Sequence, residues 1–159
     1  MGSLAIDPLA DPADIVACAR MMASSDPWRT LGRGVDACAR ALGDETRERW
    51  VARADGAIAG FLILNFNGPF VGYIQAIFAA DGMRGRGIGT ALLAFAEERI
   101  HRVSPNVFLC VTSFNEGAKR LYERSGYEVV GVLRDYLVRG YDEILMRKTI
   151  GPIDEYAKR

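Results

Sequence analysis

Between an apolar strand pattern and an amphipathic helix pattern lies the run Met83-Arg84-Gly85-Arg86-Gly87-Ile88-Gly89-Thr90. Strand, loop and helix in that order place the chain in the α/β class. Glycines at alternate positions remove the β-carbons that would keep an oxyanion off the backbone. The helix N-terminus beyond them offers N–H donors and partial positive charge. Arg84 and Arg86 add full charges. The loop suits a pyrophosphate, and the bland alternative is a basic surface turn with no ligand.

Other phosphate motifs fit the same residues poorly. With glycines at Gly85, Gly87 and Gly89, the last position of a GxGxxG fingerprint is Thr90, and no acidic ribose ligand follows about twenty residues on in a second strand. No GK[ST] follows the loop, which disposes of a Walker A site. At 159 residues, 50% hydrophobic and 25% charged, the chain fits one globular domain over 1–150, with a polar tail at 151–159 that is expected to fray after Gly151-Pro152. Twenty basic residues balance twenty acidic ones, so no global field recruits nucleic acid or an anionic membrane, and a charged ligand must be met by local charge. No stretch approaches the roughly twenty apolar residues of a membrane span, and Met1-Gly2-Ser3-Leu4 does not begin a secretory signal, so a cytoplasmic protein is expected. Cys18, Cys38, Cys110 and the single His101 show no ligand spacing. No metal, disulfide framework or Ser-His-Asp triad is expected.

Along the chain the pattern is β-α-α-β-β-β-α-β-α-β-β. A strand near Leu4–Ile6 precedes Asp11-Pro12-Ala13-Asp14, which supplies an N-cap and a proline at the first helical position, and the helix runs to about Ala23. A second helix spans Val35–Leu42. Arg49–Ala54 and Ala57–Phe66 form a hairpin about Asp55-Gly56, a dipeptide suited to a type I′ turn. Phe70–Ala80 is the expected central strand, Ile88–Ile100 a helix, Asn106–Thr112 a buried strand, and Asn115-Glu116-Gly117-Ala118 opens a helix stopped by Gly126. Tyr127–Val138 and Tyr141–Lys148 are expected as an antiparallel pair about Arg139-Gly140.

The spacing RxxGxG (Arg84, Gly87, Gly89) resembles the acyl-CoA pyrophosphate loop of the GCN5-related N-acetyltransferase (GNAT) superfamily. The segment Val111 to Tyr127 is similar to that family's VxxxNxxAxxLYxxxGF block, with Tyr127 in place of the final Phe. The resemblance covers nearly the whole chain. It implies an α/β (α+β) fold whose mixed, mostly antiparallel sheet of about seven strands is flanked by about four helices and splayed between strands 4 and 5. It also implies an N-acetyltransferase that uses acetyl-CoA as cosubstrate, without a metal, and acetylates a primary amine by direct transfer. The alternatives are a protein N-terminal acetyltransferase specifically, a noncatalytic acyl-CoA-binding module, and a structural dimerisation domain with a vestigial loop. A homodimer is common in the family.

By the same resemblance, the backbone of Ile77, Phe78 and Ala79 bonds the pantetheine amides like an added strand, and Arg84, Gly85, Arg86, Gly87, Ile88, Gly89 and Thr90 surround the pyrophosphate. Asn115 matches a cofactor-contacting asparagine and is equally an ordinary N-cap. Tyr122 matches the tyrosine that serves as general acid toward the CoA sulfur; the alternative is a buried core aromatic. Some members carry a glutamate base on a central strand, yet the matching residue of the fifth strand is Cys110, and the fourth offers Tyr73 and Gln75. A water chain or an amine of depressed pKa would then replace the base. Trp28, Arg29, Tyr136 and Tyr141 are candidates for contacting the acceptor, with Trp28 equally a core plug. Arg134-Asp135-Tyr136 is reminiscent of members acting on protein N-termini, although Leu137 stands where a second tyrosine is usual.

Overall fold

The computed structural model describes residues 2–80, 82–83 and 86–156. The elements in chain order are β1 (Leu4–Pro8), α1 (Pro12–Ala23), α2 (Val35–Leu42), β2 (Glu48–Ala54), β3 (Ala57–Asn65), β4 (Tyr73–Ala79), α3 (Ile88–Ile100), β5 (Asn106–Thr112), α4 (Glu116–Arg124), β6 (Glu128–Leu133), β7 (Glu143–Thr149) and a short α5 (Ile153–Tyr156). The strands form one seven-stranded sheet in the order β1-β2-β3-β4-β5-β7-β6. Every neighbouring pair is antiparallel except β4 and β5.

Local chemistry accounts for most boundaries. The Asp11 carboxylate accepts from the Ala13 N–H at 2.9 Å and caps α1, with Pro12 at its first position. Asp55 and Gly56 turn the β2–β3 hairpin at φ of 51° and 83°, as a type I′ turn requires. β3 is covered on both faces. Leu62 and Leu64 face α3 and its Leu92, Ala96 and Ile100, whereas Phe61 and Ile63 face α1 and α2 with Cys18, Met22 and Leu42. Burial on both sides explains why β3 reads as a nearly continuous apolar run rather than an alternation.

Three expectations are corrected. The run from Phe70 becomes strand only at Tyr73, because Gly72 sits at φ +90° against α3 and β5. A β-carbon there would stand 2.5 Å from Ile100 Cγ2 and 2.6 Å from the Asn106 carbonyl oxygen. The last two strands are not joined by a tight turn at Arg139-Gly140. Residues 134–142 form a loop, in which the Asp135 carboxylate accepts from the Gly140 N–H at 2.7 Å and Asp142 accepts from the Asp135 N–H at 3.2 Å. These local bonds draw residues 134–138 out of the ladder. Beyond Gly151-Pro152 the chain forms α5 where a frayed tail is expected, its Tyr156 N–H donating to the Pro152 carbonyl at 3.2 Å.

The expected splay is present. β4 and β5 pair in parallel only at Tyr73 with Phe108 and Ile74 with Leu109. Past Ile74 the edge of β4 facing β5 has no ladder partner, while its other edge stays bonded to β3 up to Ala79.

Candidate active site at the strand splay

Two clefts open where β4 and β5 part. One, of about 550 Å³, lies over Ile77, Phe78 and Ala79 and reaches the loop before α3; the other, of about 440 Å³, lies between α1, α2, β5 and the 134–142 loop. Both are lined by Pro27, Trp28, Ile77, Asn115 and Tyr122, so those residues mark their junction.

The first cleft sets the unpaired edge of β4 and the N-terminus of α3 against Trp28 and residues of α4. Gly87 precedes α3 at φ +76°, a conformation open to glycine, and a β-carbon there would meet nothing within 4 Å. Among the described residues no side chain caps α3 and no acid stands in its first turn, so the N–H groups of Ile88, Gly89 and Thr90 are available to an anion at the cleft wall. Arg124, in the last turn of α4, adds a cation that the sequence reading did not single out. Arg86 is placed elsewhere: its guanidinium reaches Met83 Sδ at 3.0 Å and the Asp55 carboxylate at 3.5 Å, on the hairpin turn. Arg84 and Gly85 lie outside the described residues. The Asn115 side chain accepts from the Ala118 N–H at 3.4 Å, capping α4, while lining both clefts. Capping and ligand contact are therefore compatible in one residue.

Tyr122 is 6% exposed and packs edge-on against Tyr127 at 5.9 Å. Burial pushes its phenol well above the ordinary value, so it is protonated at neutral pH. Trp28 packs against Phe61 at 6.0 Å and Phe78 at 5.9 Å, and so is both core plug and cleft wall. Tyr136 lines the second cleft from the 134–142 loop. Tyr141 lines neither; its ring stands on Phe114 at 5.6 Å. Arg29 pairs with Asp26 at 2.9 Å.

The second cleft also holds residues that the sequence reading left without a role. Tyr73 on β4 and Cys110 on β5 both line this cleft where the strands part, and burial raises both groups' pKa. Glu143, the first residue of β7, was not singled out. It stands opposite Thr112 in the β5–β7 register, is 3% exposed, and its carboxylate accepts from the Thr112 hydroxyl at 2.7 Å. Burial raises its pKa, with the Thr112 bond opposing. The one signal in the sequence is an acid sharing parity with Leu145 at the start of a strand, whose first four residues the fold leaves buried or half-buried. Among the described residues no group of three or more His, Cys, Asp or Glu side chains is arranged to hold a metal.

A cleft at a split parallel pair, with a glycine-led helix N-terminus on its wall, agrees with the comparison to known sequences. The model of the "Acetyltransferase (GNAT) family" matches residues 15–127. This chain belongs to the GNAT family. Among similar GNAT relatives are the N-alpha-acetyltransferase of Sulfurisphaera tokodaii, 31% identical over 61% of this chain and 66% of that protein, and the N-alpha-acetyltransferase RimI of Mycobacterium tuberculosis, 30% identical over 87% of this chain and 89% of that one. The chain spans 66%, 64% and 44% of the first three curated relatives it matches. A solved aminoglycoside 6′-N-acetyltransferase complexed with coenzyme A superposes with a TM-score of 0.72 at 17% identity, covering 93% of this chain and 98% of its own, which shows a shared fold.

Proposed function

We propose that this protein is an acetyl-CoA-dependent N-acetyltransferase that moves the acetyl group directly to a primary amine, the α-amine of a peptide or protein. The observation that carries the reading is the meeting of the two clefts at Tyr122. Acetyl-CoA would supply an activated acyl group as its thioester. The free edge of β4 at Ile77, Phe78 and Ala79 would bond the pantetheine amides, and the N–H groups of Gly87 to Thr90 would hold the pyrophosphate. Trp28 at the junction and Tyr136 on the loop would contact the acceptor.

Tyr122, held neutral by burial, donates its proton to the departing sulfur. The same exclusion of water raises the proton affinity of the leaving thiolate, so the transfer stays matched although the phenol is a weaker acid than in water. A peptide amine is favoured over an aminoglycoside by charge. The acceptor cleft presents one acidic side chain, Glu143, among walls such as Met22, Leu31 and Ala41, which suits a single ammonium beside an apolar side chain rather than a polycation. The two relatives named N-alpha-acetyltransferase support the same choice.

The test is thiol release from acetyl-CoA with an Ala-initiated tetrapeptide, its N-acetylated form, kanamycin and putrescine, alongside calorimetric titration of CoA. Expected are CoA binding and turnover of the free peptide alone. Turnover confined to kanamycin or putrescine would overturn the peptide assignment, and failure to bind CoA would overturn the activity.

A further inference from the structure

Glu143 is the one acidic side chain on the wall of the acceptor cleft, and the mechanism above does not use it. One of its oxygens is held by Thr112 at 2.7 Å; among the described residues the other has no hydrogen-bond partner, and no cation pairs with the group. A carboxylate buried to this degree without a counter-ion costs stability, which a purely structural role would not require. Its neighbours on the lining supply no second acid. Tyr73 from β4, Cys110 and Thr112 from β5, Tyr122 from α4 and Tyr136 from the loop share the cleft, and burial keeps the Tyr73, Tyr122 and Cys110 protons in place; Arg33 is the one cation on the lining. Cys110 on the fifth strand is a poor proton acceptor, and the carboxylate enters from the adjoining strand, where Leu145 stands opposite Cys110 and Glu143 opposite Thr112.

We propose that Glu143 is the general base of the reaction, receiving the ammonium of the acceptor and taking its proton. This rests on the N-acetyltransferase reading. One N–H bond of the ammonium breaks as an O–H bond forms on Glu143. The freed lone pair makes the N–C bond to the acetyl carbon, the C–S bond breaks, and its electron pair leaves on sulfur, which takes the Tyr122 proton. The second amine proton returns to Tyr122 through water, and Glu143 releases its own to solvent. Per turnover, one acetyl group moves from sulfur to nitrogen and one proton is released.

The experiment compares wild type, E143Q and T112V over a pH series with acetyl-CoA and the Ala-initiated tetrapeptide, or the fastest acceptor of the panel above. E143Q retains an oxygen for the Thr112 hydroxyl. It is expected to lower kcat/KM about 10²-fold near neutral pH, with the loss shrinking once the amine, of pKa about 8, titrates to its free base. T112V, lacking the bond that opposes the raised pKa, is expected to move the acid limb of the wild-type profile to higher pH. A readout independent of turnover is the ¹³C titration of the Glu143 carboxyl, expected above the ordinary carboxylate range and absent in E143Q. Because the folded-state pKa is raised, the protonated form favours the fold and that contribution is lost as pH rises. E143Q is therefore expected to melt at or above the wild-type temperature at neutral pH, the gap closing below the ordinary value of 4.5. An E143Q loss that is equal at every pH, or a neutral-pH rate within about threefold of wild type, overturns the assignment of the base alone. No turnover by the wild-type protein with any acceptor overturns both proposals.

Discussion

The two clefts that meet at Tyr122 are built in opposite ways. In the cleft over Ile77 to Ala79 and Gly87 to Thr90, what β4 and α3 offer is main chain, an unpaired strand edge and the N-terminus of the helix that follows it, while residues 26–28 and α4 close the sides. The second cleft is lined by residues from nine places: α1, residues 27–33, α2, β3, β4, β5, α4 with its cap Asn115, the 134–142 loop and β7. A backbone site tolerates many side chains but demands particular φ angles and missing β-carbons, so it leaves a compact motif. A side-chain site demands particular residues but no particular spacing, so it leaves almost none.

The largest effect that would sharpen this contrast is expected at the junction. Tyr122→Phe keeps the ring on Tyr127 and removes only the hydroxyl, and kcat should fall about 10²- to 10³-fold with the CoA dissociation constant unchanged in calorimetry. An equal loss of CoA affinity would make Tyr122 part of the cofactor wall instead. In the backbone cleft, Gly87→Val forces a branched residue to φ +76° where a β-carbon has open space around it. Thermal unfolding should show a loss of about 1–2 kcal/mol from the left-handed backbone, and CoA should bind about tenfold or more weakly because the added side chain stands in the approach of the phosphates.

Smaller effects separate the walls. Arg124→Ala should weaken CoA binding by about 1 kcal/mol, and by less at high salt, since the side chain is exposed and its charge is screened. Tyr136→Ala should raise the peptide KM severalfold while leaving CoA affinity alone, whereas Tyr141→Ala, on a ring that lines neither cleft, should leave both constants where they are. If Tyr141→Ala raised the peptide KM as much as Tyr136→Ala, the 134–142 loop would close over the acceptor as a unit.

Much of the fold was legible because its signals are local. The Asp11-Pro12 start of α1, the Asp55-Gly56 turn, the Ile88–Ile100 helix and the Asn106–Thr112 strand fall where residue chemistry placed them. The 134–142 loop escaped because the run from Tyr127 to Val138, rich in valine and tyrosine, looks like a long strand. Only the hydrogen bonds of Asp135 and Asp142, which join residues across the loop, end β6 at Leu133. Phe70 to Gly72 were misread for a related reason: the obstacle at Gly72 is Ile100 and the Asn106 carbonyl, both more than twenty-five residues away in sequence.

The sequence by itself determined the α/β order, the glycine loop opening a helix, and the pairing of Asn115 with Tyr122 on one helix, since each depends on neighbours within a few residues. Tertiary structure alone decided that β4 and β5 part after Ile74, that Trp28 and Tyr122 meet where two clefts join, and that Glu143 stands beside Thr112 in a wall with no other acid. The reason is physical. Chain-local conformational preferences are written residue by residue, whereas the burial and pKa of a carboxylate depend on which strand, thirty residues away, the sheet sets against it.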